Sequence, residues 1–186
     1  MSPEVNRGFA LREAAQADAE AIARIHVETW RAAYAGVVPD HYLIGMSVEG
    51  QSFQWKKLLR RPADRHLTLV AGMPGVGPGT GPRAGIVGFG SAGAARSRPP
   101  PASGEIFTLY VATDWQGRGI GRALLKALLG RLARQGHAAA YLWVLADNPA
   151  RFFYERVGGQ RVAQQVETFA GTQLLEYAYR WPTGAE

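Results

Sequence analysis

The feature that most constrains the fold is a strand that runs into three closely spaced glycines and then into a long amphipathic helix. Residues 105–112, EIFTLYVA, are rich in β-branched and aromatic side chains, which is typical of a strand. Gly117, Gly119 and Gly121 follow, and the apolar spacing of residues 122–136 predicts a helix. Such a turn directs unpaired backbone N–H groups and the positive end of the helix dipole at one point. The segment therefore predicts a phosphate-binding site, although a tight connection that merely needs positive φ gives the same pattern.

A second glycine pattern, GFGSAG at residues 88–93, matches the dinucleotide fingerprint G-x-G-x-x-G letter for letter. That fingerprint requires a helix after its last glycine, and the prolines at 99–101 block one. We therefore interpret residues 88–93 as a strand of small residues. The kinase-type P-loop G-x-x-x-x-G-K-[ST] does not occur in the sequence, so nothing supports classical nucleotide hydrolysis.

The other patterns predict an α/β sandwich around one central sheet instead of a doubly wound nucleotide fold. Strands are expected at residues 9–14, 66–72, 84–93, 105–112, 139–146, 159–169 and 173–181. Helices are expected at about 19–35, 40–59 with interruptions near Gly45 and Gly50, 120–136, and 149–157. Two Gly/Pro-rich segments, 73–83 and 96–104, are predicted to be flexible loops. The 186 residues, 47% of them hydrophobic, fit one domain spanning residues 1–186.

Composition excludes several classes of function. The sequence has no cysteine, which rules out thiol nucleophiles and thiolate metal sites, and its histidines lack metal-ligand spacing, so no metal is expected. The net charge of +6 is dispersed along the chain, and no nucleic-acid-binding motif is visible. RNA binding through the basic surface is the least favoured alternative. With no signal-peptide pattern and no long apolar run, we expect a cytoplasmic protein without a membrane partner.

Two motifs together resemble the GNAT acetyltransferase superfamily. Residues 116–121, QGRGIG, are similar to the family's Q/R-x-x-G-x-G/A turn, and residues 147–155, DNPARFFYE, are similar to its N-x-A-x-x-F-Y-E segment. The likeness runs from about Phe9 to Trp181. It implies a mixed, mostly antiparallel sheet of about seven strands with about four helices, in which the fourth and fifth strands splay apart.

The resemblance also implies acetyl-coenzyme A (acetyl-CoA) as cosubstrate. The backbone of residues 109–111 would pair with its pantetheine arm, and the N–H of Val111, or of a neighbour beside a bulge, would stabilise the oxyanion. Amides of the glycine turn would bind the pyrophosphate. Asn148 would contact the pantetheine while also capping the helix that begins near Pro149. The implied cofactor-binding residues are Leu109, Tyr110, Val111, Gln116, Gly117, Arg118, Gly119, Ile120, Gly121, Arg122 and Asn148.

The same resemblance suggests catalytic residues, each with a structural alternative. Tyr154 is the candidate general acid for the departing thiolate, or else a core aromatic. Glu105 lies where histone-type members carry a catalytic glutamate, but a water chain or a merely solvated carboxylate is the alternative. Members that acetylate ribosomal-protein N-termini carry a glutamate where this chain has Trp143, which argues against a close copy of their chemistry. The helical stripe His26, Trp30 and Tyr34 is predicted either to line the acceptor cleft or to pack in the core.

These observations favour an N-acetyltransferase that joins acetyl-CoA and a primary amine in one ternary complex. The acceptor, a small molecule or a peptide, stays unidentified because fold and cofactor do not fix it. The alternative is a non-catalytic acyl-CoA sensing module. Homodimers are frequent in the resembling family, so a homodimer is compatible with the sequence.

Overall fold

The computed structural model describes residues 8–74, 85–96 and 103–183. The seven strands of this part are β1 (Ala10–Glu13), β2 (Leu67–Gly72), β3 (Ile86–Ala94), β4 (Ser103–Val111), β5 (Ala139–Leu145), β6 (Gln160–Phe169) and β7 (Thr172–Pro182). Its five α-helices are α1 (Ala19–Tyr34), α2 (Asp40–Gly45), α3 (Val48–Leu58), α4 (Ile120–Arg134) and α5 (Ala150–Arg156). None of the helices in the described ranges is long and apolar enough to cross a membrane.

The seven strands form one sheet in the order β1-β2-β3-β4-β5-β7-β6. Every neighbouring pair is antiparallel except β4 and β5, which are parallel and are connected through α4. The predicted mixed, mostly antiparallel sheet is thereby confirmed. A parallel pair needs a crossover connection, and the helix predicted after the glycine turn supplies it.

Helices cover both faces of the sheet. On one face α4 buries Leu124, Leu128 and Leu132 against the central strands. The approach is close, since a Cβ atom on Gly90 would lie 2.8 Å from Leu128 Cδ1. This packing explains the glycine at position 90, and the 88–93 pattern lies in β3 as predicted. Gly93 instead lies close to the Arg65 backbone. On the other face α1 and α3 pack around Trp55.

The predicted and observed elements differ in a few places. The helical region expected at 40–59 is two helices, so residues 8–74, 85–96 and 103–183 contain five α-helices instead of about four. The first of these two helices, α2, ends at Gly45 as expected. The Ser47 side chain accepts the Gly50 N–H and thereby caps α3. Gly50 itself lies inside α3 and does not interrupt it. Strand β4 begins at Ser103, inside the predicted loop 96–104. Most of that loop and most of the 73–83 loop lie outside the described residues.

Candidate functional site

The sheet opens between β4 and β5. Register partners between these strands are limited to three pairs, from Ser103 with Ala139 to Glu105 with Tyr141. Beyond them β4 continues alongside β3 to Val111, and β5 continues alongside β7 to Leu145. The C-terminal halves of the two strands therefore face each other across an open wedge, as predicted. Their inner backbone edges are available to an extended ligand.

The hydrogen-bond alternation of β4 decides which backbone groups face the wedge. Ala112 donates its N–H to the Val87 carbonyl oxygen at 2.9 Å. In an antiparallel ladder alternate residues point to opposite sides, so Tyr110 also bonds toward β3, whereas Leu109 and Val111 point into the wedge. Of residues 109–111, whose backbone is expected to pair with pantetheine, only Leu109 and Val111 thus present their N–H and C=O groups to the wedge. A register shift opposite Ser91 and Ala92 marks a bulge in β4 just before Leu109.

The glycine turn presents a row of unpartnered N–H groups. Gly117 and Gly119 have φ of +74° and +81°, values that side chains other than glycine rarely adopt. Within the described residues, no N–H from 117 to 122 has a hydrogen-bond acceptor. The Gln116 amide fixes the turn to the strand by donating to the Val111 carbonyl at 3.0 Å. The N-terminus of α4 therefore presents a cradle of N–H donors beside the wedge, and its binding of an anion stays a prediction.

Other residues of the turn have different surroundings. Gly121 is needed for packing, because a Cβ atom there would lie 3.3 Å from Phe153 Cζ of α5. Ile120 is buried in the core under α4. The Arg118 guanidinium lies 4.6 Å from the centre of the Trp115 ring, and Arg122 is exposed. Both arginines are thus at the rim, where they add positive charge to the cradle.

The stripe predicted on α1 lies over β4 at the wedge. The Trp30 indole donates to the Tyr110 hydroxyl at 2.9 Å, and the His26 ring stacks on the Tyr110 ring with centroids 5.4 Å apart. Burial lowers the pKa of His26 to about 4, so this imidazole is neutral at pH 7. Trp55 donates its indole N–H to His26 Nδ1 at 3.2 Å. The remaining hydrogen of the neutral ring is therefore on Nε2.

Asn148 links this aromatic layer to α5. Its side-chain oxygen accepts the Ala150 N–H at 2.9 Å, which is the capping role expected for it, although α5 begins at Ala150 instead of Pro149. Its amide donates to the Tyr34 hydroxyl at 3.0 Å. Asn148 is buried and already bonded to protein on both sides, so its predicted contact with pantetheine stays a prediction.

Tyr154 is buried on α5, on the α4 side of the sheet. Burial raises its pKa far above the ordinary value of a phenol, and the nearby Tyr34 hydroxyl adds to the rise. The ring packs beside Phe153, Tyr179 and Trp181. The Tyr154 hydroxyl thus keeps its proton at neutral pH, and its position relative to the departing sulfur stays a prediction.

Glu105 lies at the closed end of the wedge, where β4 still pairs with β5. It is buried, and Arg96 donates three hydrogen bonds to it: the backbone N–H to Oε2 at 2.9 Å, and the guanidinium Nη2 and Nε to Oε1 at 2.6 and 3.2 Å. Charge-assisted hydrogen bonds of this kind hold the carboxylate in one position at the closed end of the wedge. Glu105 therefore has a clear structural contact, and its role as general base stays a prediction.

Sequence reasoning missed several residues around the wedge. It used only the backbone of Tyr110, whose side chain organises the aromatic layer. Tyr42 and Phe169 extend that layer by packing on Trp30, with centroids 5.9 and 5.8 Å apart. Glu176 of β7 brings a negative charge near the Tyr34 hydroxyl and contributes to a raised Tyr34 pKa, after burial. No local pattern indicates these residues, because they meet only through the sheet.

Comparisons with known proteins agree with this geometry. The model of the acetyltransferase (GNAT) family matches residues 19–159. The chain is 30% identical over 172 residues to YuaI, an uncharacterized N-acetyltransferase of Bacillus subtilis (strain 168), and the match covers 92% of each. The fold is similar to that of the PaiA N-acetyltransferase of Thermoplasma acidophilum in complex with coenzyme A (TM-score 0.67, 18% identity, 93% of this chain and 99% of that one). It is also similar to yncA of Salmonella typhimurium, solved with acetyl-CoA (TM-score 0.67, 20% identity, 96% of each).

Proposed function

Because the chain belongs to the acetyltransferase (GNAT) family, we propose that it transfers the acetyl group of acetyl-CoA directly to a primary amine. The proposal treats residues 1–186 as one acetyltransferase domain. The observation that carries it is the junction of two features at one place: the open wedge beside β4 and the row of unpartnered amides at residues 117–122. A pantetheine arm fits the first, and a pyrophosphate fits the second.

The described residues fit acetyl-CoA as follows. The N–H groups of residues 117–122 bind the pyrophosphate oxygens, with Arg118 and Arg122 at the rim. The inward backbone groups of Leu109 and Val111 bind the pantetheine arm as an additional strand. When bound, acetyl-CoA supplies an activated acyl group. One of the two strand N–H groups then donates to the thioester carbonyl oxygen, where negative charge develops as the amine attacks.

Tyr154 acts as the general acid in this proposal. Its hydroxyl donates a hydrogen bond to the departing sulfur and stabilises the charge that collects there. A buried phenol is a weak acid, but the same low-dielectric surroundings raise the pKa of a thiol. The pKa of the phenol and the pKa of the thiol are thus raised together, so the phenol can still donate its proton to the thiolate. No covalent bond between acetyl group and protein is needed.

The amine loses its proton to a water chain in this proposal, because both carboxylate oxygens of Glu105 already accept hydrogen bonds from Arg96. Replacing Glu105 by Gln is expected to reduce the free energy of unfolding by about 1–2 kcal/mol, since the ion pair between the buried carboxylate and the exposed Arg96 side chain is lost. We expect kcat/KM to fall less than about tenfold. Chemical denaturation and steady-state kinetics measure the two effects. Arg96→Gln is the control and should destabilise similarly; a loss of about a hundredfold in kcat/KM confined to Glu105→Gln would identify Glu105 as the base.

The acceptor side of the wedge carries Trp30, Tyr34 and, near them, the Glu176 carboxylate. Aromatic faces and a carboxylate attract a cationic amine. We therefore expect the acceptor to be a small-molecule or peptide amine that is protonated in solution. The direct test is to assay a panel of polyamines, amino acids, peptides and antibiotics that carry amino groups, and to measure the release of the coenzyme A thiol with each. At least one amine should give saturable, acetyl-CoA-dependent release.

The alternative is a non-catalytic acyl-CoA sensing module with the same wedge and turn. The same panel of amines distinguishes the enzyme from the sensing module. If every amine fails while acetyl-CoA still binds, the sensing module is favoured. We favour the enzyme because the Tyr154 hydroxyl has a proposed role as general acid in acetyl transfer, whereas a sensing module needs no general acid.

A further inference from the structure

A cavity of about 250 Å³ lies on the α1 and α3 face of the sheet, away from the glycine turn. Its walls come from α1, α3, the residues before β2, and strands β3 and β4. Ser91, Thr108 and His66 line it from the sheet side, and Gln51 and Gln54 line it from α3. No residue of the turn 116–122 takes part. The cavity is therefore separate from the cradle assigned to the pyrophosphate.

The charged side chains that line this cavity are all arginines. Arg61, Arg65 and Arg96 line it, and its lining in the described part of the chain contains no aspartate or glutamate. Arg96 is already neutralised by Glu105. Arg61 and Arg65 have no ion-pair partner among the described residues, and Asp64, between them in sequence, does not line the cavity. Two positive charges are thus left without compensation at the rim.

The sheet side of the cavity is polar and incompletely satisfied. Thr68, Ser91 and Thr108 are register partners across three strands, and the Ser91 and Thr108 hydroxyls share a hydrogen bond of 2.7 Å. His66 lines the cavity, and its Nε2 is buried without a hydrogen-bond partner in the described residues. Thr68 Oγ1 is likewise buried and unpaired, but Thr68 lies beside Ser91 in the sheet and does not itself line the cavity. His66 is only 8% exposed. Unsatisfied buried groups are uncommon, and each asks for an explanation such as a bound molecule.

The protonation state of the His66 imidazole is compatible with a bound anion. Burial, followed by the nearby Arg61 and Arg96, lowers the pKa of its imidazole to about 4. The ring is thus neutral at pH 7 and stacks on Phe107 with centroids 5.4 Å apart. A neutral ring can turn one N–H toward an acceptor without adding a further positive charge. The arginines at the rim carry the charge instead.

We propose that this cavity binds a small oxyanion, the carboxylate of an organic acid or a phosphate, between Arg61, Arg65 and the hydroxyls of Ser91 and Thr108. Guanidinium groups match both kinds of oxyanion. A cavity of this size holds about eight water-sized groups, enough for a compact acid but not for a nucleotide. His26 lines the cavity and stacks on Tyr110, so the site adjoins the aromatic layer at the wedge.

Calorimetric titration of the full chain with malonate and, separately, inorganic phosphate tests the proposal, with sodium chloride holding the ionic strength constant. We expect saturable binding of one of the two, with a Kd that saturating coenzyme A leaves unchanged. The double variant Arg61→Gln/Arg65→Gln should raise that Kd at least about tenfold, because two charge-assisted contacts are lost. Arg60→Gln removes a charge beside the cavity without lining it, and should change the Kd less than about twofold.

Three results would overturn this assignment. One is the lack of saturable binding by either anion. Another is the loss of binding when coenzyme A is saturating, which would place the anion in the pyrophosphate cradle at residues 117–122. The third is equal affinity of the double variant and the unaltered chain, which would place the anion elsewhere. Each readout is independent of acetyl transfer, so failure here leaves the proposed function untouched.

Discussion

Replacing Tyr154 by Phe is expected to lower kcat by about a hundredfold to a thousandfold while leaving the affinity for acetyl-CoA nearly unchanged. The substitution removes one hydroxyl and keeps the ring that packs against Tyr179 and Trp181. Loss of a general acid typically costs two to four orders of magnitude in rate. The pantetheine and pyrophosphate contacts assigned to β4 and the turn do not involve this hydroxyl. Steady-state kinetics with a competent amine and calorimetric titration with acetyl-CoA measure the two quantities.

Tyr179→Phe is the matched control for this prediction. It deletes a phenol from the same cluster, one that donates to Glu155 Oε1 at 2.6 Å. It should therefore cost stability without a comparable loss of kcat. Full turnover by Tyr154→Phe, or an equal loss in both variants, would show that Tyr154 is only a core aromatic.

Replacing Gly119 by Ala is expected to weaken acetyl-CoA binding by about tenfold to a hundredfold. With φ at +81°, any side chain at this position strains the backbone, which relaxes by turning the peptide groups that begin α4. The N–H groups of the turn then no longer converge on one point. Charge-assisted hydrogen bonds are worth roughly 1.5–3 kcal/mol each, so the loss of about one gives a change of this size. Calorimetric titration with acetyl-CoA measures it.

Gly136→Ala separates the effect on binding from the effect on stability. Gly136 follows the same helix at its other end, with φ at +86°, and a Cβ atom added there would meet no other atom within 4 Å. Both variants should lose roughly 1–2 kcal/mol of stability from the left-handed backbone conformation. Only Gly119→Ala should lose affinity. Equal acetyl-CoA affinity in the two variants would contradict the assignment of the turn as the pyrophosphate site.

Local sequence patterns were sufficient for the features that a few neighbouring residues determine. The glycine turn, the strand before it and the helix after it follow from local backbone preferences, so residues 105–134 could be predicted closely. The capping contact of Asn148 was also predictable, because it spans two residues. Of the two interruptions predicted in the 40–59 region, the one near Gly45 is observed. The one near Gly50 is wrong, because Ser47, three residues earlier, caps the helix that contains Gly50.

Contacts between distant segments could not be predicted in this way. Trp30 meets Tyr110 across 80 residues, and Asn148 meets Tyr34 across 114. The pairing of Arg96 with Glu105 depends on the register of β3 and β4, which a single residue of slip would change. The resemblance placed Glu105 among candidate bases, whereas only the tertiary structure shows what holds it. The cavity proposed to bind an oxyanion likewise depends on side chains that come together from two helices, two strands and the segment before β2.

The central claim is that main-chain amides at residues 117–122 bind the pyrophosphate of coenzyme A. It is tested most directly by following backbone amide resonances of ¹⁵N-labelled protein during titration with coenzyme A. We predict that the largest shifts occur at these amides and at Leu109 and Val111, and that they saturate together at one Kd. Binding that shifts other amides while these stay in place, or no binding at all, would contradict the claim.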